Sequence, residues 1–399
     1  MKKRDLYLNR LIELKDKSLI KVITGVRRCG KSSLLDLYEE YLLSVGVEPA
    51  SILRLNFESL DYDHIKNYQQ LNGYIIEHAP SLGKTYVLLD EVQTVPEWER
   101  AVNSLRLNDK LDIYVTGSNG HLLASELSTL LSGRFIEIHM LPLSFKEFLD
   151  FYDLDPDGDQ QGHFNLYLDI GGLPGLVELR DNEQVMRSYL NGIYNTIMMR
   201  DVIQRNEVRD PALLENVMRF MSGSVGNPMS SKKISDCLTG SGRKTSSETI
   251  DNYLRMLEKA FILYRAGRFD IRGKQNLKTQ GKYYIVDTGL RGELIGKRGQ
   301  DYGFVLENIV YFELLRRGYT VKVGSLPASE VDFVATKQGN TAYFQVTATM
   351  MHEETRAREL RPLQAIDDNY EKIVLSMDRN PMSDFDGIKS MNLMEFLLH

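Results

Sequence analysis

Gly25-Val26-Arg27-Arg28-Cys29-Gly30-Lys31-Ser32 follows an apolar run, Ile20–Thr24, and opens a segment in which Leu34, Leu35, Leu37, Tyr38 and Tyr41 recur at helical spacing. The octet has the spacing G-x-x-x-x-G-K-[ST] between a strand and a helix, the order that a phosphate-binding loop requires. Backbone N–H groups of such a loop and of the helix N-terminus converge on an anion. Gly25, Arg27, Arg28, Cys29, Gly30, Lys31, Ser32 and Ser33 are therefore the expected phosphate-binding residues. Lys31 is expected at the β and γ oxygens of a nucleoside triphosphate, ATP, and the Ser32 hydroxyl at Mg²⁺.

Tyr86-Val87-Leu88-Leu89-Asp90-Glu91 reads as a buried parallel strand that delivers two acids to its C-terminal edge, where the phosphate loop also lies. Asp90 is the expected magnesium carboxylate, and Glu91 the general base that polarises the attacking water. A third strand, 112 to 116, runs into Gly117-Ser118-Asn119. Ser118, and after it Asn119, are candidates for sensing the γ-phosphate or orienting water. Leu131-Ser132-Gly133-Arg134 precedes a further strand, 135 to 140. A guanidinium there is expected to serve a neighbouring subunit as an arginine finger, which would make the protein an oligomer. Action of Arg134 within its own subunit, and a surface or capping arginine, are the alternative readings.

At 399 residues, 42% hydrophobic and 26% charged, the chain has the composition of a soluble globular protein with two to four domains. No apolar run approaches the roughly 18 residues of a membrane span, so no membrane partner and a cytoplasmic location are expected. Cys29 and Cys237, the only cysteines, exclude a disulfide framework. Cys29 reads as a small buried filler, or as a thiol whose pKa the helix N-terminus lowers. The formal charge of −6 hides an asymmetry. Residues 229–282 carry twelve Lys/Arg against five Asp/Glu, a net of +7, which leaves −13 for the remainder. A basic block in an acidic chain points to nucleic acid.

Alternating strands and helices make residues 1–150 a parallel α/β domain. Asp155-Pro156-Asp157-Gly158-Asp159 marks a break, and 151–207 reads as a helical lid around Gly171-Gly172-Leu173-Pro174, a turn expected near the adenine, with Pro174 as its contact. An interhelical turn is the plainer reading. Residues 208–290 read as a winged helix-turn-helix. Its helices cover 211 to 225 and 230 to 238, with a third opened by a capping box at Thr245-Ser246-Ser247-Glu248. The third helix presents Ser246, Ser247, Thr249, Asn252 and Arg255 to a major groove. Strands at 263 to 269 and 282 to 286 flank a basic wing, 268 to 282, for phosphate contacts. The expected partner through 229–282 is double-stranded DNA, and a protein partner is the alternative.

Residues 300–399 carry Glu307 on a helix, Asp332 ending a strand, and a strand with Gln345 and Thr347. This is the order of a metal-dependent restriction-type nuclease, but Gln345 stands where an acid is needed and Thr347 where a lysine is needed. Glu330 is expected to point the other way along its strand. The reading is a nuclease fold without activity.

These residues together resemble the AAA+-type ATPases in which an AAA-14 domain is followed by DUF4143. The likeness is carried by the loop with Thr24, Leu88-Leu89-Asp90-Glu91-Val92-Gln93 with Trp98, Thr116-Gly117-Ser118, Leu131-Ser132-Gly133-Arg134-Phe135, Pro142-Leu143-Ser144-Phe145, Gly171-Gly172-Leu173-Pro174, Arg200-Asp201 and Glu330-Val331-Asp332-Phe333. It implies an ATPase core, a winged helix and a C-terminal restriction-endonuclease-like domain, with Gln345 and Thr347 following a degenerate form common in the family. The turn at Gly172-Leu173-Pro174 also resembles one that touches nucleotide in the signal-transducing branch of these ATPases. The expected function is slow Mg²⁺-dependent ATP hydrolysis whose nucleotide state repositions a basic winged helix on DNA. The alternatives are an ATP-gated protein-binding scaffold and a metal-dependent DNA nuclease.

Overall fold

A short amphipathic helix, α1 (Asp5–Glu13), precedes β1 (Ile20–Thr24), which is buried along its whole length as a parallel strand covered on both faces must be. The computed structural model describes residues 2–118, 133–296, 302–379 and 384–399. After β1 come α2 (Lys31–Ser44), β2 (Ile52–Asn56), α3 (Tyr68–His78), β3 (Thr85–Asp90), α4 (Trp98–Leu105), β4 (Leu111–Gly117) and β5 (Phe135–His139). The five strands are parallel, in the order β2-β3-β4-β1-β5. The chain leaves β1 and crosses β4 and β3 to reach β2, so strand order reverses beside β1. The C-terminal ends of β1, β3 and β4 therefore open a crevice at a topological switch point.

One face of this sheet packs Val22, Val87, Leu89, Ile113 and Val115 against Leu71 and Ile75 of α3 and Trp98, Val102 and Leu105 of α4. Beneath α2 lies a buried polar knot. Lys21 is ion-paired to Asp112 with neither side chain exposed, and its Nζ also donates to Lys17 O at 2.7 Å. The other Asp112 oxygen accepts from Asp16 N at 2.8 Å and from Tyr114 OH at 2.9 Å, and Tyr38 bonds to Tyr114. The first compact unit ends at Pro142 and includes Lys259–Phe261. It stops before the expected limit at 150 because the next helix, α5 (Phe145–Phe151), packs Phe145 and Phe148 on Phe164 and Tyr167 of α6 (Gln160–Ile170) in the second unit.

Helix α7 (Glu183–Thr196) of that second unit continues into a π-helical stretch, Ile197–Gln204. Three helices follow: α8 (Pro211–Gly223), α9 (Ser231–Gly240) and α10 (Ser247–Lys259). Ser246 caps α10 by accepting from Thr249 N at 3.1 Å, so the cap lies one residue beyond the Thr245 expected from the box pattern. An antiparallel pair comes next, β6 (Leu263–Asp270) and β7 (Gln275–Ile285), with Met229 bridging Gly281. The second strand begins well before the expected 282, because the ladder continues past an irregularity at Gly267/Arg268 to a tight turn in which Lys274 has φ 48°.

The remaining elements are α11 (Thr288–Ile295), α12 (Tyr302–Arg316), β8 (Thr320–Ser325), β9 (Glu330–Lys337), β10 (Asn340–Thr347), α13 (Glu353–Gln364), β11 (Glu371–Ser376), β12 (Asp384–Phe385), β13 (Ile388–Asn392) and α14 (Leu393–Leu398). They build a mixed eight-stranded sheet, β12-β13-β11-β10-β9-β8-β6-β7. Because β6 pairs parallel to β8, the hairpin expected as a wing and the strands expected in a separate terminal domain share one sheet.

Breaking a buried ion pair from one side leaves an uncompensated charge, at a cost of about 3–5 kcal/mol. Lys21→Met is expected to lose stability of that order in urea unfolding, and adding Asp112→Asn to recover part of it. A loss under about 1 kcal/mol for the single variant would show that the pair is not what holds the knot together.

Candidate functional site

The loop after β1 is shaped by glycines that no other residue replaces. Gly25 has φ 145°, and a Cβ there would lie 2.2 Å from Met140 O, whose own amide donates to Thr24 O. Gly30 has φ 101° and starts α2. Arg4 ties the loop from below, donating to Cys29 O, Leu141 O and Pro142 O at 2.8–3.2 Å. Lys31 is buried, with Nζ bonded to Gly25 O and Val26 O at 3.1 Å each, whereas Ser32 and Ser33 lie exposed at the helix N-terminus. Arg27 pairs with Glu58 at 3.4 Å, and Arg28 is exposed at φ 68°. Cys29 is fully buried and burial pushes its thiol up, so the lowered pKa considered from the sequence is not realised.

Asp90, at the end of β3, is buried. One carboxylate oxygen accepts from the Thr116 hydroxyl and the other from Arg54 at 3.2 Å, and Arg54 also reaches Asp36 at 3.1 Å. Glu91 turns away from the strand at φ 52°. Its N–H donates to Thr116 Oγ1 at 3.0 Å, and its carboxylate accepts from Gln93 and from Ser118 Oγ at 3.3 Å. A single threonine hydroxyl on β4 thus holds both acids of β3. The sequence reading assigned no role to Thr116, Gln93 or Arg54. The available signal was an arginine inside the otherwise apolar strand β2, next to the acid-bearing strand in the sheet. Asn119 lies outside the described residues.

Arg134 does not join this group. It precedes β5, its carbonyl accepts from Ile20 N at 3.0 Å, and its guanidinium donates to Asn103 at 3.3 Å. Ile20 begins β1 and the loop follows its end, so Arg134 sits on the opposite edge of the sheet, about 16 Å of strand away. It cannot act on the nucleotide site of its own subunit, which corrects that form of the arginine-finger reading.

Pro174 belongs to the second unit, where it opens a short 3₁₀ turn, Pro174–Leu179. Gly172 before it donates to Asp287 at 2.7 Å and accepts from Leu143 N at 2.7 Å. Gly171 has φ 79°, and a Cβ there would collide with the same carboxylate at 2.2 Å. Asp287 also caps α11 through Leu290 N at 3.0 Å. Full burial pushes its pKa up to about 6, against the pull of these amides.

The carboxylates expected of a nuclease do come together, around an unexpected partner. Lys282 of β7 is buried, with Nζ 2.9 Å from Glu307 Oε1, 3.1 Å from Glu330 Oε1 and 3.1 Å from Asp332 Oδ1. Glu330 thus faces the same way as Asp332, because residues two apart share a face of a strand; the opposite orientation expected from the sequence is wrong. Lys282, expected to touch phosphates on a wing, is likewise corrected to an interior position. Gln345 donates to the buried Glu359 of α13 at 2.9 Å and accepts from Asp332 N. Thr347 donates to Thr349 O. Burial and the charge of Asp332 push Glu307 up to about 8, while Lys282 and Tyr284 pull it back. Burial presses Lys282 down, but the three carboxylates outweigh it and hold the ammonium above its ordinary range. A nuclease metal does not fit here, since an ammonium stands where three carboxylate oxygens converge. Among the described residues no group of three or more His, Cys, Asp or Glu is arranged to hold a metal ion.

Outside this cluster, the basic block is largely on the surface. Lys232, Lys233, Arg243, Lys244, Arg255, Arg272 and Lys274 are exposed, as are Ser246, Ser247 and Asn252 of the α10 region. Arg268 instead bonds Ser325 at 2.9 Å and approaches Glu330 at 3.8 Å.

A family model described as an AAA domain (AAA_14) matches residues 17–149, and one described as a domain of unknown function (DUF8612) matches 161–301, where the resemblance had named DUF4143. An uncharacterized protein of Haemophilus influenzae is 44% identical over 397 residues, 99% of this chain and 98% of its own. The uncharacterized protein MJ1544 of Methanocaldococcus jannaschii is 28% identical over 382 residues, 90% of this chain and 81% of its own. Among solved structures, the Walker-type ATPase paby2304 of Pyrococcus abyssi aligns at 17% identity with a TM-score of 0.51, over 74% of this chain and 96% of that one. That likeness shows the fold, a P-loop ATPase fold. Among the described residues no helix is long and apolar enough to cross a membrane.

The buried Asp287 gives the second unit a pH signature. Its folded pKa of about 6 lies above the ordinary 3.8, so between those values the folded state keeps a proton that the unfolded chain releases. Stability is highest below pH 4 on this account and falls as pH rises to 6, by about 3 kcal/mol. Asp287→Asn is expected to flatten that slope in unfolding measured from pH 4 to 7. A wild-type-minus-variant difference independent of pH would exclude it.

Proposed function

The chain belongs to a family of AAA-domain proteins together with the Haemophilus influenzae relative, and on that premise we propose that it binds and slowly hydrolyses ATP with Mg²⁺. The observation that carries this reading is the convergence, at one edge of the parallel sheet, of the glycine loop, Lys31, exposed Ser32 and the Thr116-linked Asp90 and Glu91. The residues present fit the metal and the nucleotide. Loop amides and the α2 N-terminus receive the β- and γ-phosphates, and Lys31 exchanges its bonds to Gly25 O and Val26 O for phosphate oxygens. Ser32 and Asp90 would hold Mg²⁺, with the Asp90 oxygen now paired to the partly exposed Arg54 released to it, and the ion would neutralise charge on the phosphates. Glu91 orients the attacking water and takes its proton, with Ser118 and Gln93 aiming its carboxylate.

The output proposed for this cycle is the basic part of the second unit. Helices α8, α9 and α10 with the β6–β7 hairpin and the Met229 bridge have the succession of a winged helix, and the exposed polar face of α10 is flanked by exposed Lys and Arg. Double-stranded DNA is the partner that this chemistry suits, with the flanking cations on phosphates and Ser247, Asn252 and Arg255 toward the groove. Pro174 and the turn around it are the proposed adenine contact. Arg134 is left the role of a finger toward a second subunit.

Lys31→Ala is expected to abolish binding of a fluorescent ATP analogue, and Glu91→Gln to keep binding while slowing turnover by about 10²-fold or more. Wild-type turnover in Glu91→Gln would remove the general-base assignment. DNA is expected to stimulate the wild-type rate, and DNA affinity to fall steeply between low and physiological salt. A rate indifferent to DNA would redirect the proposal to a protein partner.

A further inference from the structure

We propose that Lys282 is the built-in cation of the C-terminal core: its ammonium takes the place of the divalent metal that the surrounding carboxylates would otherwise hold, and so makes this core metal-independent. Three carboxylate oxygens from α12 and β9 lie 2.9–3.1 Å from one nitrogen. Their other bonds fix them there: Val346 N and Tyr284 OH donate to Asp332 and Glu307, and the Asp332 amide meets Gln345. A metal brought to this point would have to displace a buried, paired ammonium and leave that charge in the interior. A cavity of about 500 Å³ opens beside the cluster, lined by Ser329, Glu330, Gln345, Arg358, Glu359 and Arg361. Glu330 of the cluster therefore borders that cavity, and the Lys282 ammonium fills the point on which the three carboxylates converge. The lysine arrives from β7, twenty-five residues before Glu307 and fifty before Asp332, so the same contact ties the β6–β7 hairpin to the core by charge.

The test uses the full chain without nucleotide, with Asp90→Asn in every protein so that the first unit contributes no metal carboxylate. Mn²⁺ binding is read by electron paramagnetic resonance. With Lys282 intact, no Mn²⁺ is expected that depends on Asp332. Lys282→Ala is expected to gain one Mn²⁺ per chain, and Lys282→Ala with Asp332→Asn to lose it. If Lys282→Ala is unfolded in chelator, Mn²⁺ is expected to restore its circular dichroism, because a ligand of the folded state alone shifts the equilibrium toward it. Three results overturn the proposal: Asp332-dependent Mn²⁺ in protein that keeps Lys282, a folded Lys282→Ala that binds none, or an unfolded Lys282→Ala that Mn²⁺ does not rescue. None of these depends on whether the first unit binds ATP.

Discussion

A parallel strand covered on both faces can offer polar chemistry only at its ends. Everything proposed for the first unit follows from that constraint. β1, β3 and β4 are buried throughout; Lys21, Asp112 and Tyr114 within them are consumed by the buried knot, and Asp90 and Thr116, the groups left for chemistry, lie where β3 and β4 stop. The reversal of strand order beside β1 opens that edge into a crevice, and the glycines at 25 and 30 let the backbone turn through it. Thr116 matters because it is the shared partner: one hydroxyl sets both a carboxylate oxygen of Asp90 and the amide of Glu91, and so fixes the angle at which the chain leaves β3.

The glycine loop and the acids ending β3 were legible in the sequence because they are local, whereas the Thr116 bonds to those acids span twenty-five residues or more and were not. The loop, the strand before it and the helix after it are contiguous, and an apolar run ending in Asp-Glu states its own direction. Edge assignment was not legible to the same degree. Arg134 follows a glycine and precedes a strand, as a catalytic arginine can, but only pairing of β5 with β1 shows that the residue lies at the strands' beginning. The AAA-domain match ends at 149, beside the expected limit, but the end of the compact unit at Pro142 was not legible, for a similar reason. The turn-rich stretch is conspicuous in the sequence, whereas the aromatic packing of α5 on α6 that moves the division to Pro142 is visible only in space.

Charge was the least legible property. A lysine in a strand reads as exposed, and Lys282 was counted with a basic surface, yet Lys21 and Lys282 are both interior ions. Each is held by acids distant in sequence: Asp112 lies ninety-one residues from Lys21, and Asp332 fifty from Lys282. Net charge over a segment is a statement about surface only after such pairs are removed. The exposed remainder of the block keeps the DNA reading alive, since Lys232, Lys233, Arg243, Lys244, Arg255, Arg272 and Lys274 still face solvent.

The end of β7 shows how these buried ions shape the second unit. Within six residues the chain places Lys282 in the carboxylate cluster, Tyr284 on Glu307, the Ile285 N–H and C=O on the oxygen and nitrogen of the Asn308 side-chain amide, and Asp287 on Gly172. Each anchor is a buried polar contact that costs free energy if left unpaired, so none can be released without a replacement. The stretch therefore acts as a stiff strap between the C-terminal core and the Gly171-Gly172-Leu173-Pro174 turn. A displacement of that turn must either break the Asp287 bonds or pull on a strand fixed by three carboxylates.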